Sequence, residues 1–293
     1  MQFNGVYTAI VTPFTQGGGK IDYAAFEKLV EAQIKAGIDG IVPCGTTGES
    51  PTLTHEEHRE LIRKTVEIVK KRCLVIAGTG SNSTSEALHM TRNACEDGVD
   101  GVLVVSPYYN KPPQDGLYAH FKAIAEASSV PVIVYNIKGR TAVNIEVETM
   151  ERLAKVKNIA AVKEASGELS QMIRLRCACP NLTVLSGDDN LIPPVMSIGG
   201  KGVISVASNI FPAKMKRMMN AYLKNDYAGG NEIFYQMLPF MTALFWDTNP
   251  IPVKEACRIR GLCGSDLRLP LVPMEKEKSV KFEAIIKALG ADQ

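Results

Sequence analysis

The chain has 293 residues, 45% hydrophobic and 22% charged, with a net charge of +2. That balance fits one globular protein with a large core and excludes the long-range field that would gather nucleic acid or an anionic membrane. No apolar run of about 18 residues is present to span a bilayer, Met1-Gln-Phe-Asn-Gly5 is neither a basic nor an apolar leader, and the seven cysteines, at 44, 73, 95, 177, 179, 257 and 263, are too scattered for a disulfide framework, so a cytoplasmic protein with a small-molecule partner is expected.

Apolar runs closed by Gly, Pro, Ser or Thr predict strands over residues 6–11, 40–43, 74–77, 101–105, 131–135, 159–163, 182–185 and 202–206. Helical periodicity separates them, as in Phe26, Leu29, Val30 and Ile34, or Leu117, Phe121, Ile124 and Ala125. Thr54-His-Glu-Glu57 and Ser83-Thr-Ser-Glu86 read as capping boxes, Gly37 and Gly98 as helix stops, and Gly17-Gly-Gly19 as a mobile loop. Strands that are apolar throughout, each joined to the next through a helix, imply a parallel sheet covered on its outer face. Eight such units predict an α/β fold, the closed (β/α)8 TIM barrel, while Gly78-Thr-Gly80 is too short for the dinucleotide fingerprint of a doubly wound sheet. Only helices follow, over 212–223, 227–245, 252–260 and 275–288. The predicted division is a barrel over residues 1–225 that carries the active site and a C-terminal helical appendage over 226–293.

In such a barrel the chemistry gathers where strands end. Lys163 closes the run Ile159-Ala-Ala-Val-Lys163. A buried lysine favours its neutral amine, a nucleophile toward carbonyl carbon; the alternatives are a lysine that snorkels to the rim or pairs with Glu164. Gly45-Thr-Thr-Gly-Glu49 reads as an anion cradle or as a tight turn capped by Thr46 and Thr47. Tyr108, Tyr109 and Tyr135 stand at the same end, as proton shuttles or as rings that fill the mouth. Arg140 offers a fork for a carboxylate or is a surface arginine. Gly187 and Asp188-Asp189 follow the seventh strand, and Ile204 lies on the eighth. The aspartates lack partners at ligand spacing, His55-Glu-Glu-His58 is not the zincin pattern, and Cys177-Ala-Cys179 lacks the two-residue gap, so a metal-free site is expected.

Taken in order, Gly45-Thr-Thr-Gly-Glu-Ser50, Pro107-Tyr-Tyr-Asn-Lys111, Tyr135, Gly139-Arg-Thr141, Val162-Lys-Glu-Ala-Ser-Gly167, Ser186-Gly-Asp188, Gly202-Val-Ile-Ser205 and Asn249-Pro-Ile-Pro-Val-Lys254 resemble the dihydrodipicolinate synthase family over almost the whole chain. The wider group comprises pyruvate-dependent Schiff-base aldolases and lyases that share the barrel and its lysine. The resemblance implies a lyase of lysine and diaminopimelate biosynthesis that condenses pyruvate with L-aspartate 4-semialdehyde to 4-hydroxy-tetrahydrodipicolinate, with no cofactor beyond the imine on Lys163. It implies that Tyr135 shuttles protons, with Thr46 and Tyr109 completing a hydroxyl relay and Tyr109 reaching across from a neighbouring subunit. Thr47 then holds the pyruvate carboxylate, Ile204 lends a backbone carbonyl, Gly187 lines the pocket and Arg140 receives the semialdehyde carboxylate. A homotetramer built as a dimer of dimers, and a feedback site for L-lysine at Pro51, His55, His58, Asn82, Glu86 and Tyr108, are implied in the same way. The chain departs from the family pattern at Ile137-Lys138, where Val-Pro is usual, and at Pro51, where a small residue is common. A sugar-acid aldolase of the same group is the rival reading, expected to lack the Gly139-Arg-Thr141 fork.

Overall fold

The computed structural model describes residues 3–292 and closes eight parallel strands into a barrel. Strands and helices alternate as β1 Gly5–Ala9, α1 Tyr23–Lys35, β2 Gly40–Val42, α2 His55–Val69, β3 Leu74–Gly78, α3 Thr84–Glu96, β4 Gly101–Val105, α4 Gln114–Ala127 and β5 Val132–Asn136. The second half continues with α5 Lys138–Thr141, α6 Val147–Leu153, β6 Ile159–Glu164, α7 Leu169–Ala178, β7 Thr183–Ser186, α8 Ile192–Ser197, β8 Gly202–Ser205 and α9 Pro212–Leu223. Three further helices, α10 Tyr227–Ala243, α11 Ile251–Ile259 and α12 Lys276–Leu289, complete the chain. Among the described residues no helix is long and apolar enough to cross a membrane.

The period-two alternation of a strand explains why the runs are apolar on both sides. Val102, Val104, Val132, Val134, Val162, Val184 and Val203 point outward into the layer shared with the helices. Tyr7, Val42, Ile76, Leu103, Ile133, Tyr135, Ala161, Leu185 and Ile204 point inward and fill the barrel. Closure follows from the β1–β8 pairing, which sets Tyr7 opposite Ile204. Across β5, β6 and β7, Tyr135 is opposite Lys163 and Lys163 opposite Leu185, so the lysine faces the barrel axis at the upper layer.

The predicted strands are present, with ends moved by a residue or two. Thr54 and Glu57 form the expected capping box, and Gly37 and Gly98 take the left-handed conformation just past their helices. Ser83 does not: its hydroxyl pairs with that of Ser85 at 3.0 Å and makes no capping bond, and the Glu86 carboxylate, which would return the second bond, is held by Ser81 and His55 instead. The glycine loop is not loose either. Residues Gln16–Gly18 form a 3-10 turn in which the Gly17 N–H donates to Asp266 Oδ1 at 2.7 Å, while Arg268 donates to the carbonyls of Gly18 and Gly19 at 3.1 and 2.7 Å. Glycine composition suggests freedom, but partners 249 residues away in sequence supply the order.

The C-terminal helices are tied into the same core. Phe240 of α10 meets Phe211 edge-on at 5.0 Å and stacks on Phe282 of α12 at 5.7 Å. At the barrel mouth, Lys254 of α11 donates to Glu49 at 2.6 Å, with both side chains at most 1% exposed. Arg268 forms a two-pronged pair with Glu57 of α2, 2.6 Å on each prong. The segment after β8 therefore reaches back to the loops that follow β1 and β2.

Candidate active site

Lys163 is 6% exposed and its ammonium stands 4.1 Å from the centre of the Tyr135 ring. Snorkelling is ruled out by that burial, and pairing with Glu164 by the strand alternation. Glu164 points the other way, accepting from Asn136 Nδ2 at 3.1 Å and from the Ser166 N–H at 2.8 Å. Burial pushes the Lys163 amine down to about 8, against the pull of Asp188 and Asp189 and with help from Arg140. Burial also raises the Tyr135 phenol, an effect that the Arg140 charge and the Thr46 hydroxyl oppose and Asp188 reinforces. Tyr135 is thus kept as a proton-carrying phenol beside an amine that can lose its proton.

The surrounding cavity is lined by Thr46, Thr47, Arg140, Gly187, Asp188 and Asn249, besides Lys163 and Tyr135. Thr47 is 2% exposed and its Oγ1 accepts from Asn249 Nδ2 at 3.0 Å. The amides of Gly48 and Ser50 bond to the Gly45 carbonyl and that of Glu49 to the Thr46 carbonyl, so the turn narrows the cradle to its threonine end. Arg140, on the single turn α5, places one guanidinium nitrogen 3.0 Å from the Asn249 carbonyl. Gly187 is glycine for want of room: a Cβ there would lie 2.6 Å from Ala165 Cβ and 3.1 Å from Lys163 Cε. Asp189, which sequence grouped with Asp188, is turned away to cap the Val206 and Ala207 amides at 3.0 and 2.8 Å.

Two expected members stand apart. Ile204 is fully buried in the interior layer, and Val206 rather than Ile204 lines the cavity. Tyr109 is 89% exposed, with φ at +72°, and does not line the cavity around Lys163 in the single chain. Of the three phenols, only Tyr135 enters the cavity. Phe245 and Asn249 enter it from the segment between α10 and α11, where no strand end advertises them. For Asn249 the signal was its place at the head of Asn249-Pro-Ile-Pro-Val-Lys254; for Phe245 there was none.

A model of the Dihydrodipicolinate synthetase family matches residues 2–289. The chain belongs to this family. It is 54% identical over 286 residues to the 4-hydroxy-tetrahydrodipicolinate synthase of Leptospira biflexa, covering 97% of each chain. Among solved structures, the dihydrodipicolinate synthase of Acinetobacter baumannii complexed with pyruvate is 41% identical, with a TM-score of 0.96 over 98% of this chain and 99% of that one. The enzyme from Cyanidioschyzon merolae with lysine bound is 42% identical, with a TM-score of 0.95 over 98% of both. Of the pair Ile137-Lys138, Ile137 lines the cavity and Lys138, exposed, opens α5.

A second cleft adjoins the first, sharing Thr46 and Arg140 with it. Pro51, His55, His58, Glu86 and Tyr108 line it, while Asn82 lies outside its lining and lends its carbonyl to Asn110 Nδ2 at 2.8 Å. His55 bonds Glu86 at 2.7 Å, which with the Ser81 hydroxyl keeps the Glu86 carboxyl below its ordinary range, Ser81 being the larger influence. His58 bonds the Gly78 carbonyl at 2.9 Å and is held neutral chiefly by burial.

Proposed function

We propose that the chain is a lyase that condenses pyruvate with L-aspartate 4-semialdehyde through a Schiff base on Lys163, giving 4-hydroxy-tetrahydrodipicolinate, the first committed step toward diaminopimelate and lysine. The observation that carries this reading is one buried amine, shifted down to about 8, flanked by a phenol and by two separate positions for carboxylates. A keto acid and an amino-acid aldehyde bring one carboxylate each, and Thr47 with Arg140 supplies two receivers. The high identity to the Leptospira synthase, and the pyruvate complex of the Acinetobacter relative, support it.

In this reading the neutral Lys163 amine attacks the C2 carbonyl of pyruvate and water leaves, giving an imine. The protonated imine is the electron sink, so a C3 proton can be lost to form the enamine without a metal or other cofactor. The enamine carbon then attacks the aldehyde of the semialdehyde, whose own amine adds to the imine carbon, closes the ring and expels Lys163. Tyr135 moves the protons, backed by Thr46. Gly187 leaves room for the lysine arm, and Ile204, whose side chain stays in the interior layer, lends its backbone carbonyl. Tyr109, exposed in one chain, completes the relay from a second copy, within a homotetramer made of two such dimers.

Borohydride reduction with pyruvate tests the reading: a stable adduct of pyruvate on Lys163 is expected, absent in Lys163→Ala. Adduct on another lysine, or none on the wild-type protein, overturns it. A coupled assay then compares the semialdehyde with sugar-acid aldehydes, and activity on the latter alone would make this a different aldolase.

The adjoining cleft favours a second role, inhibition by L-lysine. An ammonium fits the Glu86 carboxylate, and the shared Thr46 and Arg140 give a bound amino acid a direct route to the catalytic cavity. The lysine-bound Cyanidioschyzon relative supports it. Millimolar L-lysine is expected to slow the wild-type enzyme and to lose its effect in Glu86→Ala; an unchanged response in the variant would put the ligand elsewhere.

A further inference from the structure

Asn249 lies outside the barrel, yet it touches the side chains proposed for both carboxylates. Its Nδ2 donates to Thr47 Oγ1 at 3.0 Å, its carbonyl accepts from Arg140 Nη2 at 3.0 Å, and it lines the cavity while 6% exposed. We propose that Asn249 is a positioning residue that turns the Thr47 hydroxyl into a donor toward the pyruvate carboxylate and anchors Arg140 at the semialdehyde carboxylate. This rests on the reaction read above and refines it.

A threonine hydroxyl has one proton and two lone pairs. A donor fixed on Oγ1 occupies a lone pair and leaves the proton to be given elsewhere. In the opposite arrangement, with the Asn249 oxygen facing Thr47, the proton would be given to the protein and a lone pair would meet the substrate carboxylate, which is repulsive. The direction of this single bond therefore decides whether the cradle attracts or repels an anion. At the other end, the Asn249 carbonyl takes one N–H of the Arg140 fork and leaves the remaining donors for a substrate.

Asn249 is itself held. The Lys254 N–H donates to the Pro250 carbonyl at 3.0 Å as α11 begins, and the Lys254 ammonium is fixed on Glu49 and the Asp266 carbonyl at 2.6 and 2.5 Å. Glu49 closes the loop that carries Thr47. The helix that places the asparagine and the loop that places the threonine are thus clamped together, and both carboxylate positions move with them. The Asn249 Oδ1 is buried without a protein partner, an acceptor left for a donor the protein does not supply.

Steady-state kinetics of Asn249→Ala, Asn249→Asp, Thr47→Val and Thr47→Val/Asn249→Ala test the proposal, with borohydride trapping on the wild-type enzyme as the control for the underlying reaction. Asn249→Ala is expected to raise the pyruvate KM about tenfold with kcat changed much less, as a lost hydrogen bond to the cradle would. Asn249→Asp, the same shape but accepting only, should be worse than alanine. The double variant should bind pyruvate no worse than Thr47→Val alone, because the asparagine acts through the threonine. A pyruvate KM within twofold of wild type in Asn249→Asp, or losses that add in the double variant, overturns the proposal. So does failure of both single Asn249 variants to fold, which would make the residue structural. Trapping failure in the wild type would instead sink the reaction itself.

Discussion

Tyr135 and Lys163 are register partners on β5 and β6, and the lysine Nζ sits over the phenol ring at 4.1 Å from its centre. The two influences on the amine oppose each other. A ring face favours the ammonium, by about 2 kcal/mol when desolvated, whereas burial favours the neutral amine. Burial also outweighs the pull of Asp188 and Asp189, and the amine is shifted down to about 8 from an ordinary 10.5. Both protonation states are then accessible near neutrality, as imine formation requires.

The rate of that step should follow the amine. With Lys163 titrating at about 8, only about a tenth is neutral at pH 7, and the fraction falls tenfold per unit below that. Single-turnover trapping of pyruvate is expected to quicken about tenfold from pH 6 to pH 7 and to level off above pH 8. A rate flat across pH 6 to 8 would show that amine ionisation does not limit the step.

The same shift makes Lys163 a liability for folding. Its folded-state value lies below its unfolded one, so the unfolded chain binds more protons between about 8 and 10.5 and stability rises with pH across that window. Below it, the folded state carries the full penalty of a buried charge. Lys163→Met should therefore be more stable than wild type at pH 7, by up to about 3 kcal/mol, with the gap closing toward pH 10. Urea unfolding at the two pH values measures it; a less stable methionine variant would show that the charge is well compensated.

Arg140 and Thr47 should fail differently. Arg140→Ala removes a charged fork from the second carboxylate position while leaving Lys163, Tyr135 and the cradle in place. We expect the semialdehyde KM to rise on the order of tenfold to a hundredfold, the worth of a charge-assisted hydrogen bond, with borohydride trapping of pyruvate nearly unchanged. Equal losses in both measurements would give the arginine another role.

What was legible in the sequence is what local pattern controls. Apolar runs and helical spacing gave eight strands in the right order, and the strand ends pointed to Lys163, Tyr135, Thr46, Thr47 and Arg140, all of which line one cavity. Contacts remote in sequence were hidden. Nothing around Ser83 announces that Glu86 is engaged by Ser81 and His55, and glycines 17 to 19 look free until Asp266 and Arg268 are seen to hold them. Asn249 follows no strand, so a search of strand ends passes it by.

The Lys254–Glu49 pair shows how the C-terminal helices support the site. Both side chains are out of water, and burial lowers the Lys254 amine from its ordinary range against the opposing pull of Glu49. Removing one partner leaves the other charge buried alone, which costs about 3–5 kcal/mol. Lys254→Met should lose stability on that scale. In Glu49→Gln/Lys254→Met, where no uncompensated charge remains, the loss should be well below the sum of the single changes. Arg268→Ala should cost less than Lys254→Met through its pair with Glu57, because that pair is partly in water, with side chains 17% and 27% exposed. Chemical denaturation of these three variants and of Glu49→Gln tests the ranking. Lys254→Met within 1 kcal/mol of wild type would mean that water reaches the pair and that the clamp behind Thr47 and Asn249 is weak.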